Sequence, residues 1–144
     1  MSLDTLTSNQ FALVISQAAA PAFMLGAVAS FLTVLFSQLN LVIGRLRDIR
    51  AVPDASATNA QLEAAAPRLK ARLARIGWAI GWAIASGVAT CFVIIAAFAG
   101  AWFGIRHEIG AAILFTTSLV CFTMALIIFG YEIKVAMRDV AEFN

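Results

Sequence analysis

Ser37, Gln38 and Asn40 lie within "FSQLNLVIGRLRDIR" (36–50), where a long apolar run has not yet given way to charge. Hydroxyl and carboxamide groups at such a depth can replace part of an ion's hydration or hydrogen-bond across to another helix. Steps of three and four residues back from Arg47 visit Gly44, Asn40, Ser37, Thr33, Ser30 and Gly26, every one small or polar. Positions so spaced share a helix face, and Leu32, Leu35, Leu39 and Val42 fall elsewhere. Against acyl chains an unpaired polar group is costly, so this seam is expected to face protein or water. Two uses follow. It can pack helices together, the commoner use of small-residue seams, or several copies can turn it inward around a wet path.

The charged residues gather at one level. Glu132, in "GYEIKVAMRD", stands where the last apolar run ends, and an ionisable group at that depth needs a partner. Arg45, Arg72 and Arg75 are the candidates to pair with it at the inner mouth. Asp48 sits among Arg45, Arg47 and Arg50 and balances them. The basic stretch from Arg45 to Arg75 is expected to touch anionic lipid headgroups, each Lys or Arg contributing about 1 kcal/mol.

Other reactive side chains carry little. Cys91 and Cys121 share a depth with Met124 nearby, but free cysteine is usually a small buried hydrophobe and structural metal sites need four ligands. His107 is the sole histidine, in the short "IRHE" turn, which excludes bis-histidine haem. No phosphate-binding glycine loop, zinc-spaced set or nucleophile with a histidine base is present. We therefore expect no catalysis, no cofactor, no metal and no nucleic acid. Gly77-x-x-x-Gly81 and Ala96-x-x-x-Gly100-x-x-x-Gly104 have close-packing spacing, and the hydroxyls of Thr116, Thr117, Ser118 and Thr123 often bond back to the preceding turn.

The elements that must hold these groups are membrane helices. The 144 residues are 62% hydrophobic and only 12% charged, with mean hydropathy +0.90, against about 25% charged in soluble domains. No charge lies between Thr5 and Gly44, between Arg75 and Arg106, or between Glu108 and Glu132, and a span needs about 20 apolar residues. Pro21 disfavours helix before it, so residues 5–19 read as an interfacial lead-in and 21–43 as the first span, with a kinked continuous helix as the alternative. The second span is 76–104 and the third 109–131. Residues 44–75 form a basic connection, in which Thr58-x-x-Gln61 has capping-box spacing for a short helix up to Pro67, and 132–144 form a tail. No basic residue precedes Phe11, so no signal peptide is expected.

Of the ten Lys and Arg residues, all but Arg106 fall on the side of the 44–75 connection and the tail. The positive-inside rule then sets the N-terminus outside and the C-terminus inside. Trp78 and Trp82 mark the inner interface of the second span, and Trp102 with Phe103 the outer one.

The segments "ISQAAAPAFMLGAVASFLTVLFSQLNLVIGRLRDI", "LKARLARIGWAI" and "FGYEIKVAMRDV" resemble the small bacterial membrane proteins of domain-of-unknown-function family 2721, over nearly the whole chain. The resemblance implies a three-helix bacterial inner-membrane protein and brings no activity or site with it. The expected fold is all-α: an integral membrane three-helix bundle, N-out and C-in, with cytoplasmic helical extensions. Polar seams on a chain this small favour a homo-oligomer, closed symmetry being the common outcome. The expected function is a homo-oligomeric ion channel or pore lined by the first-span seam. The alternative is a non-catalytic structural or accessory subunit packed against a membrane-protein partner in a larger complex.

Overall fold

The computed structural model describes the backbone of residues 3–50, 55–103 and 108–141, with side chains described chiefly in 18–48, 67–100 and 109–138. His107, Arg106 and Gly104 and the side chains of Thr58, Gln61, Trp102 and Phe103 lie outside the described residues. Three helices follow one another: α1 Leu3–Arg50, α2 Ala55–Phe103 and α3 Glu108–Ala141. Among the described residues there is no strand.

Each helix contains a segment long and apolar enough to cross a membrane: Ala18–Asp48, Pro67–Gly100 and Ile109–Arg138, with hydropathies of 2.0, 2.1 and 2.4. The protein is an all-α, multi-pass membrane protein. Thirty residues of helix reach about 45 Å at 1.5 Å each, beyond the ~30 Å hydrocarbon layer, so the spans tilt or protrude. α1 and α2 continue past their most apolar stretches, to Arg50 and back to Ala55.

Neither Pro21 nor Pro67 ends a helix: Pro21 lies inside α1 and Pro67 inside α2. A proline removes one intrahelical donor and crowds the preceding turn. In membrane helices neighbouring helices and local adjustment re-satisfy the freed groups, and Pro21 is buried.

The chain divides into two compact units. The first combines Met1–Ser30 with Ala83–Thr123. Met24, Val28, Ala83 and Val93 form its apolar core, and Ser86, Thr90 and Ser118 are wholly buried beside them. Here α1 comes close to α2 at Gly87, where a Cβ would meet Val28 Cγ1 at 3.5 Å. The second unit combines Phe31–Trp82 with Met124–Asn144. Leu35, Val42, Ile76, Ala79 and Ala125 are its core, and Phe31 meets Phe129 edge to face, centroids 5.5 Å apart, a favoured aromatic geometry.

Large apolar side chains point outward in both units, among them Phe92, Ile95 and Ile113 in the first and Trp78, Ile127 and Met137 in the second. Lipid is the solvent that makes such a surface cheap. Gly26, Gly44, Gly77 and Gly81 would each accept a Cβ with nothing within 4 Å. The close approach that the Gly77–Gly81 spacing offers is therefore made by none of the described residues. Gly81→Ala should leave the isolated chain folded and raise its stability by about 0.4–1 kcal/mol through lost unfolded-state freedom, measured by thermal unfolding in detergent. A loss of stability instead would mean that Gly81 has a close neighbour in the purified particle.

Candidate polar seam and arginine clamp

The inward face of α1 is the apolar one. In the first unit Met24 and Val28 are buried, while Gly26 and Ser30 are exposed. In the second, Leu35 and Val42 are buried, Thr33, Ser37 and Asn40 are exposed, and Gly44 is half-buried. Two stripes a few residues out of phase thus divide the labour: leucine, valine and methionine meet α2 and α3, and the small and polar residues look away from them.

How far these polar groups are satisfied differs. Ser30 Oγ donates to the Gly26 carbonyl at 2.9 Å, the back-bond that a helical serine forms without a partner helix. Ser37 and Asn40 hydrogen-bond none of the described residues. A carboxamide has two donor hydrogens and an acceptor oxygen, so Asn40 makes the larger unmet demand. Thr33, Ser37, Asn40, Gly44, Arg45 and Asp48 line an open groove of about 750 Å³ on this face, with Phe36 and Leu41 as apolar walls.

Glu132 is the other focus. α3 delivers it to the interior of the second unit, 4% exposed. Arg72 and Arg75, one helical turn apart on α2, both reach it: Arg72 Nε lies 2.8 Å from Oε1 and Arg75 Nε donates to Oε2 at 2.5 Å. The two arginines share one carboxylate, so the cluster carries one excess positive charge. Of the three expected partners Arg45 is not brought there; it is exposed and lines the seam groove with Asp48. Arg45 stands one heptad on from Gln38 and nearly in line with it, but its long side chain lies in the seam groove instead.

Beside the clamp runs a second groove, of about 380 Å³, lined by Gln38, Arg72 and Glu132 and floored by Ile76, Phe129, Ile133, Ala136 and Met137. Gln38 belongs to this groove and not to the seam, which fits its offset of about 100° per residue from Ser37.

A third polar cluster joins residues that the sequence analysis did not bring together. Ser86 and Thr90 on α2 and Ser118 on α3 are fully buried in the first unit. Thr90 Oγ1 and Ser118 Oγ both donate to the Ser86 carbonyl at 2.9 Å. Ser118 Oγ also lies 3.2 Å from Ser86 Oγ and 2.5 Å from Thr90 Oγ1. Three hydroxyl protons serve four contacts, so Thr90 or Ser118 gives up the carbonyl whenever it shares a proton with the other. The nearby hydroxyls of Thr116, Thr117 and Thr123 bond back to Ala112, Ile113 and Leu119. Ser86-x-x-x-Thr90, a polar pair one turn apart on one face, was the available clue.

Cys91 is exposed and Cys121 half-buried, both as free thiols. Among the described residues no group of three or more His, Cys, Asp or Glu is placed to hold a metal ion.

A family model described as "Protein of unknown function (DUF2721)" matches residues 18–141. No curated protein and no solved structure matches the chain. The match takes in all three apolar segments, the α1 seam, both arginines of the clamp and Glu132, and the chain belongs to the DUF2721 family.

Proposed function

We propose that this protein assembles with copies of itself and that the α1 seam lines a path for ions between them, a non-catalytic role. One observation carries the reading: the polar stripe of α1 is turned away from the chain's own core, with Ser37 and Asn40 unsatisfied by any described residue. In a bilayer that face demands water or polar protein, and the described residues offer Ser37 and Asn40 no hydrogen bond. The seam also has the right extent. From Gly26 to Gly44 it advances about 27 Å along the helix, close to the ~30 Å thickness of the hydrocarbon. Packing two helices needs small residues over a turn or two, whereas a path for ions needs polar groups at every level. The basic flank of α1 and α2 supports, by the positive-inside rule, a reading in which the seam's Asp48 end faces the cytoplasm of a bacterial inner membrane.

The test separates flux from assembly. Asn40→Leu and Ser37→Leu are made in the full chain, reconstituted in liposomes and assayed for ion flux, with the oligomer measured by light scattering in detergent. Each is expected to reduce flux by about tenfold or more, the effect of about 1.4 kcal/mol, with the oligomer intact. Dispersal of the oligomer with unchanged flux per assembled particle would identify the seam as packing. Flux absent from the unaltered protein, with a second membrane protein co-purifying on the same face, would establish the accessory role in place of the channel.

A further inference from the structure

The Arg72–Glu132–Arg75 clamp uses the guanidiniums in an unusual way. Both approach the carboxylate through Nε, but only Arg75 Nε hydrogen-bonds it while buried Arg72 Nε has no hydrogen-bond partner, and the terminal N–H groups of both make no hydrogen bond to a described residue. The forked edge, the part of arginine that matches phosphate oxygens in pairs, is therefore free twice over, with one net positive charge behind it. The side chains are 27% and 35% exposed, and Glu132 holds them in place. The Gln38 carboxamide, also without a hydrogen bond to the described residues, shares a groove with Arg72 and Glu132 whose remaining lining is apolar: Ile76, Phe129, Ile133, Ala136 and Met137.

We infer that this groove is a binding site for one anionic phospholipid, its phosphate held by Arg72 with Gln38, Arg75 on the same carboxylate adding positive charge, and an acyl chain lying along Ile76, Phe129, Ile133 and Met137. Two observations point to a lipid as the source of the phosphate. The polar lining passes directly into an apolar trough, which a free anion would leave exposed. The clamp also lies at headgroup depth: Trp78, three residues beyond Arg75, and Tyr131, beside Glu132, are both exposed, and outward Trp and Tyr mark the membrane interface. One net positive charge favours an anionic headgroup over a zwitterionic one. The inference does not depend on the ion path, since the seam groove and the clamp groove share no residue.

Native mass spectrometry of the full chain in detergent, incubated with phosphatidylglycerol or phosphatidylcholine, tests this. One phosphatidylglycerol should be retained per chain, with about tenfold preference over phosphatidylcholine, equivalent to about 1.4 kcal/mol. The double variant Arg72→Lys, Arg75→Lys keeps two cations beside Glu132 but lacks the planar forks, and should lose about tenfold in retention. Ile133→Trp fills the trough without altering charge and should lose the lipid to a similar degree, which decides the question even where the lysine variant folds poorly. Equal retention of the two lipids, or undiminished retention in Ile133→Trp, overturns the proposal. So does full displacement by inorganic phosphate, which would make the ligand a free anion.

Discussion

Glu132→Leu should cost the folded chain about 3–5 kcal/mol, because removing one member of a buried ion pair strands the other in a medium that cannot solvate it. Here one carboxylate neutralises two guanidiniums, so the substitution leaves two like charges one turn apart on α2. Arg72 and Arg75 are each about one-third exposed or less, and their long stems let the heads swing toward the interface, which sets the expected loss at the lower end of that range. Unfolding in detergent, followed by helical signal against denaturant, measures it.

The triple variant Arg72→Met, Arg75→Met, Glu132→Leu separates charge from shape. Replacing a whole buried ionic cluster by apolar side chains of similar volume is often neutral or stabilising, so this variant should recover most of the loss. It should also fail to retain the lipid, since the phosphate-binding edges are gone. A Glu132→Leu loss below about 1 kcal/mol would place the cluster with exposed ion pairs and remove the ground for regarding it as an organising contact. Failure of the triple variant to recover would mean that the Arg75–Glu132 hydrogen bond, and not the charge balance, holds α2 and α3 at this level.

The clamp was legible in the sequence because depth can be counted. Glu132 and the Arg72–Arg75 pair end their apolar runs at the same level, and a charge there needs a partner. The choice among three arginines was not legible, since it depends on which groove the long Arg45 side chain enters. Helical periodicity gathers Gly26, Ser30, Thr33, Ser37, Asn40 and Gly44 onto one stripe, but it does not say which stripe faces the neighbours. In lipid both a small polar face and a leucine face can pack. The structure settles the matter within each unit by burying Met24 and Val28 in one, and Leu35 and Val42 in the other.

Pro21 and Pro67 both lie within continuous helices. At Pro21, in the first apolar segment, a bilayer offers no solvent for freed carbonyls, and a helix with one missing bond remains better than an unwound segment. The hydroxyl cluster was hidden by its neighbours. Ser118 follows Thr116 and Thr117, which bond to their own helix, and only the face turned to α2 gives Ser118 another role.

That difference between adjacent residues yields the second large effect. Ser118→Leu should destabilise the chain by about 1–3 kcal/mol from overpacking alone, because Ser118 is fully buried against Ser86 and Thr90. It also removes the interhelical hydrogen bond to the Ser86 carbonyl, a contribution of about 0.6–2 kcal/mol within membranes. Ser118→Ala isolates the hydrogen-bond part and should cost only that smaller amount, the Thr90 bond to the Ser86 carbonyl surviving within α2. Thr117→Leu, one residue away, replaces an exposed side chain whose hydroxyl bonds only to Ile113 of its own helix, and should change stability by less than about 0.5 kcal/mol. The three variants are compared by the same denaturant titration in detergent. Equal effects of Ser118→Leu and Thr117→Leu would mean that α3 is rotated from the orientation described, and that the buried hydroxyls do not join α2 to α3.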